Sequence, residues 1–172
     1  PLAIDPQTIS GGNLLPNGGF DEIQDKKPKN WVLSGEVSVA SEGGNSWLKL
    51  SADAPDKAPV AYYSVPLEPT WRELKFTAKV RTTNLKIHKF ADPADARISL
   101  NFYDDKDRAT FNRIVIKEKT DGWKTKTLTV RVPPGSVKIT IKPGMYETTG
   151  TFELDDLTLA VTKVAPPPQK PQ

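Results

Sequence analysis

Along this chain apolar and polar residues alternate in short runs, separated by clusters of Gly, Pro, Asn and Asp. A period of two residues is the signature of a strand with one dry and one wet face, and no stretch carries the three-and-four spacing of an amphipathic helix. The runs predict strands over Trp31–Ala40, Ser46–Ser51, Val60–Leu67, Glu73–Thr82, Arg97–Tyr103, Phe111–Lys117, Lys124–Val132, Val137–Ile141 and Thr151–Val161, with a short strand around Asn13–Phe20. The breaks between them carry Gly43-Gly44-Asn45, Pro55-Asp56, Asp104-Asp105-Lys106-Asp107, Asp121-Gly122 and Pro133-Pro134-Gly135, each with a local backbone reason to bend.

About ten strands at this spacing predict an all-β protein, a two-sheet antiparallel β-sandwich. Jelly-roll topology is favoured over an antibody-like one, because the Cys and Trp spacing of the latter is missing. The closing run, Gly150–Val161, has an unusual feature. Phe152 and Leu154 share one phase, whereas Leu157, Leu159 and Val161 share the other, and Asp155 falls in the second phase. That phase aims a carboxylate inward, where an unpaired charge is costly.

Composition narrows the class. At 172 residues the chain is one domain's worth, and its net charge of +3 is scattered, so nucleic acid is not indicated as a partner. No apolar run is long enough to span a membrane. Without Cys there are no disulfides, thiolate metal sites or Cys nucleophile. The chain begins with neither Met nor a signal peptide and ends in Pro166-Pro167-Pro168-Gln169-Lys170-Pro171-Gln172, an extended spacer by composition. The expected organisation is a linker over residues 1–10, a sandwich over residues 11–163, and a Pro-rich linker over residues 164–172 leading to a further domain.

Four segments in order, Asn13-Leu14-Leu15-Pro16-Asn17-Gly18-Gly19-Phe20-Asp21, Pro28-Lys29-Asn30-Trp31, Gly44-Asn45-Ser46-Trp47-Leu48 and Phe152-Glu153-Leu154-Asp155-Asp156-Leu157-Thr158-Leu159, resemble signatures of jelly-roll carbohydrate-binding modules of the family 4, 9 and 22 type. The resemblance implies a structural Ca2+ held by the Gly19 carbonyl, the Asp21 and Glu42 carboxylates, the Asn45 carbonyl and Asp155. Asp21 stands where relatives more often carry Glu. Such an oxygen set suits a hard cation; the alternative is that Asp21 and Asp155 only cap turns. The resemblance further implies a polysaccharide or oligosaccharide partner, a covalently linked neighbouring domain, a monomeric state and an extracellular or cell-surface location.

In the jelly roll, Val60–Leu67, Arg97–Tyr103, Phe111–Lys117 and Val137–Ile141 should share one sheet, concave in the carbohydrate-binding relatives. The phases of Val65, Ile98, Leu100, Phe102, Ile114, Ile116, Ile139 and Ile141 then turn Tyr62, Arg97, Asn101, Tyr103, Phe111, Arg113, Lys138 and Lys142 outward. Aromatic faces for sugar C–H surfaces beside polar donors are what carbohydrate recognition needs. The four cations, with no carboxylate facing them, point to an acidic glycan. The alternative is that they keep an exposed sheet soluble.

Trp31 and Trp123 are expected in the core, Trp47 on the surface and Trp71 over a sandwich end. Asp104–Asp107 reads as a hairpin turn. His88, the only histidine, has no Ser or acid at a catalytic spacing, and no acid pair falls on the predicted groove. A noncatalytic carbohydrate-binding module is therefore the expected function, probed against a structural or protein-interaction sandwich without glycan binding.

Overall fold

A computed structural model describes residues 12–88, 94–117 and 119–171; the expected N-terminal linker lies outside them. Among the described residues twelve strands follow one another: β1 (Ile23–Gln24), β2 (Lys27–Pro28), β3 (Val32–Ser34), β4 (Val37–Glu42), β5 (Asn45–Ala52), β6 (Val60–Pro66), β7 (Trp71–Ile87), β8 (Asp95–Asp104), β9 (Ala109–Ile116), β10 (Lys124–Arg131), β11 (Ser136–Tyr146) and β12 (Thr148–Val164). They form two five-stranded antiparallel sheets, ordered β10-β7-β12-β5-β4 and β3-β6-β11-β8-β9, and a β1-β2 hairpin. This is the β-sandwich with jelly-roll connections that the alternation predicts.

The core fills the space between the sheets. Leu48, Leu50, Leu74, Phe76, Phe152, Leu154, Leu157 and Leu159 from the first sheet meet Ile98, Leu100, Phe102, Ile116, Ile139 and Ile141 from the second, all fully buried or nearly so. Phe20 and Trp31 close one side against each other, with ring centroids 5.4 Å apart, and the Trp31 Nε1 donates to the Pro16 carbonyl at 3.1 Å. Trp31 is a core residue, as expected.

Four departures from the sequence reading have local causes. The run Trp31–Ala40 is two strands, because Gly35, at φ 78°, turns the chain from the second sheet into the first. Val137–Ile141 continues to Tyr146 through Pro143, although a proline inside a central strand has no N–H for the ladder. Val164 pairs with Trp71, so the sandwich reaches one residue into the expected linker, and the described tail residues beyond Ala165 are exposed and irregular.

The fourth departure concerns Asn13–Phe20, which forms no strand of its own. Instead this segment lies beside β12: the Leu14 N–H donates to the Leu159 carbonyl at 2.9 Å, the Leu157 N–H donates to the Gly18 carbonyl at 2.9 Å, and the Asn13 side chain donates to the Leu157 carbonyl and accepts from the Leu159 N–H. β5 pairs with β12 only over Gly150–Leu154. Between the two partners the register of β12 shifts, from Asp155 to Thr158, with Asp156 at φ 50°. This bulge explains the change of phase in the sequence: one inserted residue lets Phe152, Leu154, Leu157, Leu159 and Val161 all face the core. They are not on two faces.

A methyl group on Gly18 would lie 2.1 Å from the Leu157 carbonyl oxygen. Gly18→Ala is therefore expected to destabilise the fold by about 2 kcal/mol, since backbone rather than a movable side chain stands in the way. Urea unfolding measures this, and an unchanged midpoint would show that the segment is not held against β12.

Candidate functional site

The four strands predicted to share a sheet do so, and their registers arrange the outward positions in rows across β9, β8, β11 and β6. One row runs Phe111, Asn101, Thr140 and Ser64, with Ser64 and Thr140 hydroxyls 2.8 Å apart. A second runs Ala109, Tyr103, Lys138 and Pro66. On the other side of the first lie Arg113, Ser99 and Lys142, then Val115, Arg97, Gly144 and Val60. Tyr62 also points outward, opposite Val32 on β3. Phe111 is 72% exposed and Tyr62 37% exposed, high values for large apolar side chains in a strand.

A cleft of about 240 Å3 lies on this face, lined by Arg97, Ser99, Asn101, Phe111, Asn112, Arg113 and Tyr146. At the far end of the face, the Lys138 ammonium sits 5.1 Å from the Tyr103 ring centre and 3.8 Å from an Asp107 oxygen. The turn beneath it is held by Asp104, whose Oδ1 accepts from the Lys106 and Arg108 N–H groups at 2.9 Å, with Arg108 Nε 2.6 Å from Oδ2. Those bonds favour the carboxylate and hold the Asp104 pKa below its ordinary value, the Arg108 backbone bond contributing most. The segment Asp104–Asp107 is the hairpin turn expected.

Arg97 departs from the sequence reading. It is only 7% exposed and forks onto Asp95, itself 4% exposed, with Nε to Oδ1 at 2.6 Å and Nη2 to Oδ2 at 2.9 Å. Its guanidinium carbon lies 5.5 Å from the Tyr146 ring centre, and burial beside this pair raises the Tyr146 pKa. Arg97 thus has the facing carboxylate that the sequence reading denied it. Tyr146 and Asp95 were overlooked for one reason: the alternation was ended at Ile141 and begun at Arg97. The outward phase, continued through Gly144 and back past Ala96, reaches both.

The opposite sheet carries a different surface. Trp123 is half-buried on its outer face rather than in the core, edge-on to Trp47 at 6.0 Å. Arg81 lies 4.5 Å from the Trp123 ring centre and 5.3 Å from that of Trp47, and its Nε and Nη2 reach Glu153 at 3.0 Å, while the Trp47 Nε1 donates to Glu153. The Trp47 indole N–H, the Arg81 guanidinium and the Glu153 carboxylate are thus bonded to one another. Trp71 lines a separate hollow of about 490 Å3 at one end of the sandwich, with Leu67, Pro69, Val132 and Pro134. His88 places Nε2 2.8 Å from the Thr149 hydroxyl.

Of the residues that the resemblance gives as calcium ligands, the fold brings Asp21, Asn45 and Asp155 together beside Gly19. The Asn45 Nδ2 donates to Asp155 Oδ2 at 3.0 Å, the Asp156 N–H to Asp155 Oδ1 at 2.8 Å, and the Ser46 N–H to Asp21 Oδ1 at 3.2 Å. Asp155 is 4% exposed, and its pKa is raised, chiefly by desolvation and further by the charges of Asp156 and Asp21. A carboxyl whose folded pKa is raised loses stability as pH climbs through that window, so at neutral pH the charge of Asp155 is a cost. Lys79 binds Asp156 at 2.9 Å and not Asp155. Glu42 sits at the end of β4 opposite Asn45; the pKa of Arg81 is raised chiefly by its hydrogen bonds to Glu153, with a smaller contribution from the charge of Glu42. Among the described residues no three acidic or histidine side chains stand close enough to hold a metal as they are placed.

No family model and no curated protein matches the sequence. Among solved structures, the chain is similar to the enzymatically active domain of bacteriophage CBA120 tailspike protein 4, with a TM-score of 0.64 and 18% identity over 87% of this chain and 21% of that one, so it spans about a fifth of the tailspike chain. It is also similar to the CBM22-1 xylan-binding domain of Paenibacillus barcinonensis Xyn10C, with a TM-score of 0.60 and 16% identity over 89% of this chain and 96% of that one. A family 16 carbohydrate-binding module gives a TM-score of 0.58 and 20% identity over 86% of this chain and 99% of that one. The fold is that of jelly-roll carbohydrate-binding modules. No helix among the described residues is long and apolar enough to cross a membrane.

The Asp95–Arg97 pair generates a stability prediction. Asp95→Ala leaves a buried guanidinium without its carboxylate and is expected to cost about 3–5 kcal/mol in urea unfolding, whereas truncating both residues costs less than the sum of the two single changes. Additive single effects would mean that the pair is not coupled.

Proposed function

We propose that the outer face of the β3-β6-β11-β8-β9 sheet is a groove that binds a polysaccharide or oligosaccharide without reacting on it. The exposed ring of Phe111, in one row with Asn101, Thr140 and Ser64 and next to the row of Arg113, is the observation that carries this reading. Flat apolar rings cover the C–H faces of a pyranose, and Asn101, Thr140 and Ser64 bond its hydroxyls. Tyr62 and Tyr103 supply further platforms. The xylan-binding neighbour lends the same direction to a fold-level likeness that by itself carries no ligand. The cations Arg113, Lys138 and Lys142 suit an acidic polysaccharide as well as a neutral one. In this reading the domain acts outside the cell or at its surface as a monomeric unit, holding a covalently attached polysaccharide-degrading domain on its substrate.

Phe111→Ala tests the groove with little risk to the fold, since the ring is exposed. On a panel of neutral and acidic polysaccharides, affinity for the best ligand is expected to fall about tenfold or more, with an unchanged melting temperature. Binding that survives the substitution would place the ligand elsewhere.

We also propose that Ca2+ binds beside β12, held by Asp155, Asp21 and the Gly19 carbonyl, with Asn45 and Glu42 completing the set. The buried charge of Asp155, which accepts two hydrogen bonds yet still has its pKa raised by desolvation and by the charges of Asp156 and Asp21, supports this, because a cation there turns a cost into an attraction. Calcium at a hundredfold excess over its Kd is expected to raise Tm by roughly 5–10 °C, reversed by EDTA. In Asp155→Asn the calcium-dependent shift disappears. An equal shift in that variant would rule out Asp155 as a ligand.

A further inference from the structure

We propose that the Tyr146 hydroxyl bonds a sugar hydroxyl in the cleft and that Gly144 is what lets it lie there; this rests on the groove reading above. Gly144 pairs with Val60 on one side and Arg97 on the other, a position where glycine weakens a strand and marks the close approach of another group. Its backbone does not require glycine, since its φ is not positive. The space around it does. A methyl group there would lie 2.9 Å from the Tyr146 hydroxyl oxygen, 3.1 Å from its Cζ and 2.8 Å from the Val60 Cγ1. The phenol therefore folds back along β11 and rests over the bare backbone of Gly144.

Neighbouring groups hold the ring in that position. Its centre lies 5.5 Å from the Arg97 guanidinium carbon, and Arg97 is itself forked onto Asp95, the residue paired with Tyr146 across the strands. The wall against which the phenol leans is thus fixed. The Thr148 hydroxyl donates to the Tyr146 carbonyl at 2.7 Å and ties down its backbone. A side chain placed in this way loses little rotamer freedom when a ligand arrives.

The hydroxyl end of the ring is different. No hydrogen bond from the described residues reaches it, and none of their buried side-chain oxygens is without a partner, so this oxygen opens onto the surface. Tyr146 lines the cleft together with Ser99, Asn101 and Phe111. Its pKa is raised, chiefly by burial, which keeps the phenol protonated and able both to donate and to accept, as a sugar hydroxyl does. One ligand in the cleft then meets an apolar ring from β9 and a phenol hydroxyl from β11.

Affinity electrophoresis against xylan, mixed-linkage glucan, galactan and polygalacturonate identifies the polymer bound most tightly, and calorimetry with that polymer compares the variants. Tyr146→Phe removes one oxygen that holds nothing in the fold, and is expected to weaken binding about five- to tenfold with an unchanged melting temperature. Gly144→Ala displaces the phenol and is expected to weaken binding by a similar factor. The two changes together cost little more than either alone, because they remove the same contact. Tyr146→Phe decides on the hydroxyl even where Gly144→Ala fails to fold. Full affinity in Tyr146→Phe, with affinity lost in Phe111→Ala, overturns the contact and leaves the groove standing. Losses that multiply in the double variant overturn the role of Gly144. Binding of none of the four polymers by the unsubstituted protein overturns the groove reading and this contact with it.

Discussion

Strand β12 is the constraint on which the rest of the sandwich depends. Seventeen residues long and central in its sheet, it must keep its apolar side chains on the core while changing partners halfway, from β5 to the segment Asn13–Gly18. One inserted residue at Asp155–Asp156 makes that exchange possible. The same bulge fixes the place where Asp21, Asn45 and Asp155 meet, so the geometry of the proposed cation site is a by-product of how two strands share one neighbour. Glycine at position 18 follows from the same contact.

The two outer faces of the sandwich show how one alternating pattern yields different chemistry. On the β10-β7-β12-β5-β4 sheet, Arg81 is enclosed by two indoles and a carboxylate, a closed set with its strong hydrogen bonds made internally. On the other sheet, the rings of Phe111 and Tyr62 stand open beside rows of hydroxyl, amide and cationic groups. Saturated networks rigidify a surface, whereas open rings beside hydroxyl and amide groups leave contacts for a ligand to make. The buried Asp95–Arg97 pair bridges these two behaviours, belonging by position to the open face and by satisfaction to the closed kind.

Much of this was legible in the sequence because strand phase is a local property. Ile98, Leu100 and Phe102 announce their side of β8, and the outward place of Asn101, Tyr103 and Phe111 follows from counting by two. What failed were inferences that needed a neighbour. Asp95 looked like loop, so the partner of Arg97 was invisible. Trp123 looked like core, because a sequence does not say that Trp47 and Arg81 wait on the outside of the adjoining strands. The strand expected over Val137–Ile141 stops short of Pro143, which hid Tyr146. The change of phase at Asp155 was visible as a pattern, yet a bulge and a change of face leave the same trace in one dimension. Only the pairing of both halves of β12 with β7 separates them.

The antiparallel contact between Asn13–Gly18 and Leu157–Leu159 has a mechanical consequence. Going back from Gly18 to Asn13, the chain moves in the same direction as β12 moves towards Val164, so the two backbone ends of this contact leave from the same end of the sandwich. Tension applied through them pulls neighbouring bonds open one after another, as a zipper, and does not load them all together in shear. Under stretch this seam would be the first part of the domain to yield, and a cation bound where Gly19, Asp21 and Asp155 meet would act as a rivet at the point where the peeling must stop.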